Sequence, residues 1–276
     1  MARRIRRSPI RLRTALTVLC AASTLACGAG PGDAGDRAGA PARDAPASVM
    51  VAAAADLAAA LPDLVGAFER QTGLRVETTI ASSGQLAHQI RHGAPIDVFA
   101  AADRDWIRQL EAEGRIDPET VGVYALGGLA LVMRVGGPEP AELATLADPA
   151  VRRVAIPNPE YAPYGRAAME VLTRVGIRDV VEPKLIFAEN LRQVMQLVET
   201  GNVDAVLTGH SLARGWPGAW TSVPDSLHAP LEQAVGVVSG TKNPDAARAF
   251  VRFLLGPEGR AILARHGFAL PEDVGE

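Results

Sequence analysis

VMVAAAADLAAAL, residues 49–61, decides how the rest of the chain is read. Residues 49–54 form a short apolar run of strand length, and Leu57, Leu61, Leu64, Val65 and Phe68 then recur at helical spacing. Asp56 stands where the period changes, in the position of a helix N-cap, and Gly73 closes the helix. A buried strand feeding directly into an amphipathic helix is the opening of a βαβ unit.

The same alternation continues outward to the C-terminus. Further strands are expected at 75–80, 98–101, 129–134, 154–156, 185–188, 205–208, 221–223 and 234–238. Helices are expected through Leu86 to His92, through Trp106, Ile107 and Leu110, and through Met169 and Leu172 after the turn Pro163-Tyr164-Gly165. Asn190 caps another, with Leu191, Val194, Met195 and Val198 as its apolar stripe, and two more cover 244–255 and 257–265. Strands alternating with helices predict an α/β protein with a mainly parallel sheet covered on both faces. No internal repeat is evident.

The segment before residue 49 has a different character. Residues 1–26 hold six arginines and no acidic residue, followed by a short apolar run from Ala15 to Ala26. A basic region, a short apolar core and small residues predict a secretory signal peptide. Thr24-Leu25-Ala26-Cys27 resembles a bacterial lipobox, in which Cys27 would carry the lipid, although the leucine sits one position late. Residues 27–48 would then form the lipid-attachment cysteine and a Gly/Ala/Pro/Asp tether too poor in bulky apolar residues to fold. An extracytoplasmic location, periplasmic or membrane-anchored through Cys27, is the expectation.

Charge and cysteine usage narrow the chemistry. Loss of the six arginines takes the formal net charge from −3 to −9, which argues against a nucleic-acid partner. Cys20 and Cys27 are the two cysteines, so the part after the tether has no thiol for a nucleophile or a cysteine-ligated metal.

Open α/β sheets bind ligands beyond the carboxyl ends of their strands. Four strand-to-helix turns share a composition suited to this: Ala55-Asp56, Ser82-Ser83-Gly84, Tyr164-Gly165 and Asn190-Leu191. Small residues let a ligand approach the backbone, and each helix start offers unpaired N–H groups with partial positive charge. Converging, such turns would cradle an oxyanion without lysine or arginine. Each turn alone reads equally well as an ordinary helix cap.

At this point VAAAADLAAAL (51–61), ASSGQLAHQI (81–90) and GAPIDVFAAAD (93–103) resemble, in order and spacing, the periplasmic molybdate-binding protein family. YALGGLALVM (124–133) looks like its lobe crossover, and IPNPEYAPYGRAAMEVL (156–172) like its third ligand loop. PKLIFAENLRQVMQLVETGNVDAVLTGHS (183–211) and FVRFLLGPEGRAILARHGF (250–268) extend the match. The resemblance implies a type II periplasmic-binding-protein fold of two α/β lobes with a ligand cleft between them. Residues 49–126 and 232–276 would form lobe 1, and 127–231 lobe 2. It implies a non-enzymatic, monomeric substrate-binding protein of an ABC importer, with a permease and an ATPase as partners, no cofactor, and molybdate or tungstate as ligand.

Carried over residue by residue, the oxyanion-binding set is Asp56, Ser83, Tyr164, Leu191 through its amide, and Thr208, with molybdenum or tungsten held as the oxyanion. Two positions depart from the family. Asp56 stands where serine is usual, and a carboxylate repels an oxyanion unless it is protonated, turned aside as a helix cap, or bound to the metal centre. Thr208 stands where tyrosine is usual, and His210-Ser211 replaces the acidic residue that normally follows.

Other readings remain open at this stage. The same fold could hold a sulfate-like oxyanion, or ferric iron through Tyr161, Tyr164 and Asp56. Gly209-His210-Ser211-Leu212-Ala213 nearly matches a nucleophile elbow, with Ser211 as nucleophile and Asp225 or Asp245 and His266 in the right chain order for a hydrolase. His88 and His92 have a zinc-compatible spacing on one helix, without a third ligand.

Overall fold

The computed structural model describes residues 48–140 and 142–271. The expected signal peptide, Cys27 and nearly all of the tether lie outside them. In chain order the strands are β1 (Ser48–Ala54), β2 (Arg75–Ala81), β3 (Val98–Ala101), β4 (Gly122–Gly127), β5 (Leu129–Met133), β6 (Val154–Pro157), β7 (Leu185–Ala188), β8 (Ala205–Gly209), β9 (Trp220–Ser222) and β10 (Leu231–Val237). The helices are α1 (Leu61–Thr72), α2 (Ser83–Arg91), α3 (Arg104–Ala112), α4 (Pro163–Arg174), α5 (Arg178–Val181), α6 (Leu191–Glu199), α7 (His210–Ala213), α8 (Pro244–Leu255) and α9 (Pro257–Arg265). No described helix is long and apolar enough to cross a membrane.

The strands form two five-stranded sheets, ordered β2-β1-β3-β10-β4 and β7-β6-β8-β5-β9. In the first, β1 runs parallel to β2 and β3, while β10 is antiparallel to β3 and β4. The second repeats the scheme: β6 is parallel to β7 and β8, and β5 antiparallel to β8 and β9. Both sheets are therefore mixed, where the alternation of strands and helices predicted a mainly parallel one. A parallel pair needs a crossover helix. Strands β4, β5 and β10 instead enter directly where the chain passes between the sheets, and they lie antiparallel to a neighbour. The strand β4 is an element that the sequence reading passed over as a connection, because 122–133 is one apolar stretch divided between two sheets at Gly127-Gly128.

Each sheet buries both faces through the two-residue alternation of its strands. Val49, Val51 and Ala53 face a layer of α1 and α8 that holds Leu64, Phe68, Phe250 and Leu254. Ala52, Phe99 and Ala101 face the opposite layer, with Leu86 and Ile90 from α2 and Ile107 and Leu110 from α3. In the second sheet, Leu131, Ile156 and Leu207 pack against Ala168, Val171 and Leu172 of α4. Val132, Ala155 and Val206 pack against Val194 and Val198 of α6.

The chain after β1 departs from expectation in one detail. A short 3-10 turn, Ala55–Ala59, precedes α1, and Pro62 lies in the first turn of that helix. Ala54 is the N-cap of the short turn, so Asp56 sits inside it and does not cap a helix. This placement leaves its side chain free for another use.

Phe68 is fully buried and meets Phe250 and Phe253 edge-on, with ring centroids 5.2 and 5.6 Å apart. Phe68→Ala should lower the unfolding free energy by about 3–5 kcal/mol, read from urea unfolding, through lost burial and an unfilled cavity.

Candidate functional site

The four turns meet. A single small cavity is lined by Asp56 from the turn after β1, Ser82 and Ser83 at the start of α2, Pro163 and Tyr164 at the start of α4, and Asn190 and Leu191 at the start of α6. Alanines complete the wall, and no lysine, arginine or histidine is among the lining residues. The first N–H groups of α2, α4 and α6 lack partners within their helices and carry the positive ends of the helix dipoles. An anion is the ligand such a wall favours.

Ser82 begins α2 with a capping box: its N–H is accepted by Gln85 Oε1 at 3.1 Å. Ser83 is buried and its Oγ accepts the Ala102 N–H at 3.0 Å, which leaves the hydroxyl hydrogen to be donated elsewhere. Asn190 caps α6, its side-chain oxygen accepting the N–H groups of Arg192 and Gln193 at 3.0 and 3.2 Å. That cap holds the α6 start, and with it Leu191, against the cavity.

Asp56 is wholly buried. Its Oδ2 accepts a hydrogen bond from the Tyr164 hydroxyl at 3.2 Å and another from the Gln233 amide. Gln233 Nε2 also donates to Tyr164 Oη at 3.0 Å. Oδ1 of Asp56 has no hydrogen-bond partner. Burial pushes the carboxyl up to about 6 from its usual 3.8, against the pull of the Tyr164 and Gln233 bonds. Burial and the neighbouring Asp56 charge likewise hold the Tyr164 phenol well above its ordinary value, so it stays a neutral donor.

Thr208 has a different place. It is buried on β8 and shares a sheet face with Val206, its Oγ1 is without a partner, and it is not among the residues lining the cavity. Gln233 is the residue that sequence reasoning missed. A glutamine at the head of the apolar run Ala234–Val237 of β10 was the available signal, since a buried polar side chain requires a partner.

The hydrolase arrangement is not assembled. Ser211 donates its hydroxyl to the Asp56 carbonyl at 2.8 Å, and α7 behind it is four residues long. His266 pairs instead with Asp63 at 2.9 Å. The phenol of Tyr164 is committed to Asp56 while Tyr161 is solvent-exposed, so the three iron-ligand candidates do not converge. His88 and His92 are exposed, and the described residues contain no cluster of three metal-binding side chains.

Several bonds tie the side of the first sheet to that of the second around this cavity. They are Tyr164 and Ser211 to Asp56, the Gly84 N–H to the Tyr161 carbonyl at 2.8 Å, and the ion pair of Arg166 with Asp103. Gly127, where the chain leaves the first sheet, lies under the same network. A Cβ there would fall 2.4 Å from Tyr164 Oη and 2.7 Å from Gln233 Nε2, so only glycine leaves room for it.

The raised carboxyl has a consequence for stability. As pH rises from the unfolded value of 3.8 toward the folded value near 6, the unfolded chain releases its proton first, and stability falls. Asp56→Asn removes this dependence. The wild-type unfolding free energy should drop relative to the variant by roughly 2–3 kcal/mol between about pH 4 and pH 7.5 in urea titrations, with other groups cancelling in the difference. A pH-independent difference would mean that the carboxyl is not shifted.

Residues 49–269 match the family model described as bacterial extracellular solute-binding protein. The molybdate-binding protein of Azotobacter vinelandii is 34% identical over 215 residues, 74% of this chain and 82% of that one. That of Rhodobacter capsulatus is 32% identical over 206 residues, 73% of this chain and 80% of its own. The solved structure of the Azotobacter vinelandii periplasmic molybdate-binding protein superposes with a TM-score of 0.76 at 29% identity, covering 81% of this chain and 99% of that chain. The two mixed sheets are thus the two lobes of a periplasmic-binding-protein fold, and the chain belongs to the bacterial extracellular solute-binding protein family.

Proposed function

We propose that this protein captures molybdate or tungstate between its lobes and delivers it to the permease and ATPase of an ABC importer. The observation that carries the reading is the cavity itself: helix starts from both lobes converge on one point with hydroxyl and amide donors and no cationic side chain. Tetrahedral dianions are what such donors hold, and the relatives with about a third of their residues in common are molybdate-binding proteins. Ser83 donates its free hydroxyl hydrogen, the amide of Leu191 and the α4 start at Tyr164 donate from the second lobe, and Asp56 completes the wall. Thr208, buried on β8 and outside the lining, is left out of this donor set.

A cavity walled by both lobes is entered when the lobes part, and it is completed when they close again. The chain passes between the sheets at Gly127-Gly128 and again between β9 and β10, and these two connections are the hinge. Closure around a ligand that bonds to both lobes converts binding energy into a recognisable closed shape for the permease. No bond is made or broken. Export through the signal peptide at 1–26, and anchoring by a lipid on Cys27 at the end of the 27–48 tether, would place the protein where it meets its transporter.

Thermal unfolding of the mature domain against molybdate, tungstate, sulfate, phosphate and ferric citrate tests this. A ligand at a hundred times its Kd adds about 2.7 kcal/mol of stability and a melting shift of several degrees. A shift with molybdate or tungstate is expected, and no shift with either would overturn the assignment. Ser83→Ala should weaken molybdate binding by roughly 1–3 kcal/mol in calorimetry, through loss of a buried hydrogen bond to a charged ligand. Unchanged affinity would remove Ser83 from the site.

A further inference from the structure

The wall of the cavity contains one feature at odds with an anion: the one side chain lining it that can carry charge near neutral pH is an acid. We propose that Asp56 enters the complex as a carboxylic acid, with one proton held between its Oδ1 and an oxygen of the ligand, so that capture of a dianionic oxyanion takes up a proton from solvent. This deepens the oxyanion reading above and rests on it.

The geometry fixes which oxygen does what. Oδ2 accepts from both Tyr164 and Gln233, so that oxygen is occupied as an acceptor. Oδ1 is buried and makes no hydrogen bond of ordinary geometry, and the only groups beside the carboxyl that favour its charge, apart from Tyr164 and Gln233, are the backbone N–H groups of Asp56 and Leu57. A bare carboxylate there would face the ligand with an uncompensated negative charge, whereas a protonated Oδ1 becomes a hydrogen-bond donor like Ser83. The balance is simple: carboxylate, dianion and one proton give a neutral acid donating to the dianion. A ligand that carries its own hydrogen, such as hydrogen phosphate, would supply that proton itself.

Nothing near Asp56 replaces the proton with a fixed positive charge. From β4 it faces the Tyr124 phenol and from α4 the Tyr164 phenol, both held neutral by burial, and from β10 the Gln233 amide. From α7 come the Ser211 hydroxyl, bonded to the Asp56 carbonyl, and His210, whose Nδ1 lies 3.2 Å from the Gly267 carbonyl. The other ionisable groups of the packed elements are Arg192 and Glu199 on α6, Arg166, Glu170 and Arg174 on α4, Glu232 on β10, Asp63, Glu69 and Arg70 on α1, and Arg75 and Glu77 on β2. None of them shifts the Asp56 carboxyl. Its raised pKa, set by burial, leaves it ready to take the proton near neutral pH.

The test is calorimetric titration of the mature wild-type protein with sodium molybdate at about pH 8, in two buffers of different ionisation enthalpy. The expected result is uptake of close to one proton per molybdate, falling toward zero near pH 5. The Kd should weaken about tenfold per pH unit above pH 7. Asp56→Ser, with Asp56→Asn as a second variant in case one folds poorly, should bind with a Kd independent of pH and no proton uptake. Wild-type binding at pH 8 without proton uptake would overturn the proposal while leaving the oxyanion function intact. Binding by Asp56→Ser with none by wild type at any pH would overturn it in the same way. Absence of binding by all three proteins at every pH would overturn both.

Discussion

A buried carboxyl group organises the centre of this molecule. Asp56 has no exposed surface and no cation beside it, and burial of such a group is tolerable only if hydrogen bonds or a proton compensate it. Tyr164 from the second lobe and Gln233 from the first supply those bonds, and Ser211 adds one to the Asp56 backbone. The requirement to satisfy one acid therefore draws α4, α7 and β10 onto the turn after β1. The glycine at position 127 follows from the same requirement, because a side chain there would occupy the space of the phenol and the amide.

The lobes themselves do not depend on that centre. Each is a sheet with alternating side chains buried against helices on both faces, and each supplies its own apolar clusters. Between them pass two chain connections, several polar bonds and an apolar patch in which Ala54, Ala55, Ala102, Leu231 and Ile80 from the side of the first sheet join the second lobe's apolar cluster. Alanine at the first three of these positions lets the lobes approach closely enough for helix starts to face a common point.

That common point has its character from backbone more than from side chains. Three α-helices and a short 3-10 turn contribute their N-terminal ends, and apart from Asp56, Pro163 and Leu191 the side chains present are either donors or small. Positive potential there comes from partial dipoles and not from arginine. The one full charge available is the wrong sign for an anion, and this makes the protonation of Asp56 the most informative property of the site.

Much of this was legible in the sequence. The change from an apolar run to helical spacing at 49–61, repeated along the chain, located most strands and helices, because burial on both faces of a sheet and on one stripe of a helix leaves periods of two and 3.6. The four turns at Asp56, Ser83, Tyr164 and Asn190-Leu191 could be picked out by composition, since helix starts use few residue types. Only the tertiary structure decided that these turns meet in one cavity, that both sheets are mixed, that Thr208 stays outside the lining, and that Gln233 shares the Asp56 carboxylate. Those outcomes depend on contacts between residues far apart in the chain, such as the 177 positions separating Asp56 from Gln233. Local periodicity carries no record of such contacts, because it reports which face a residue buries and not what it meets there.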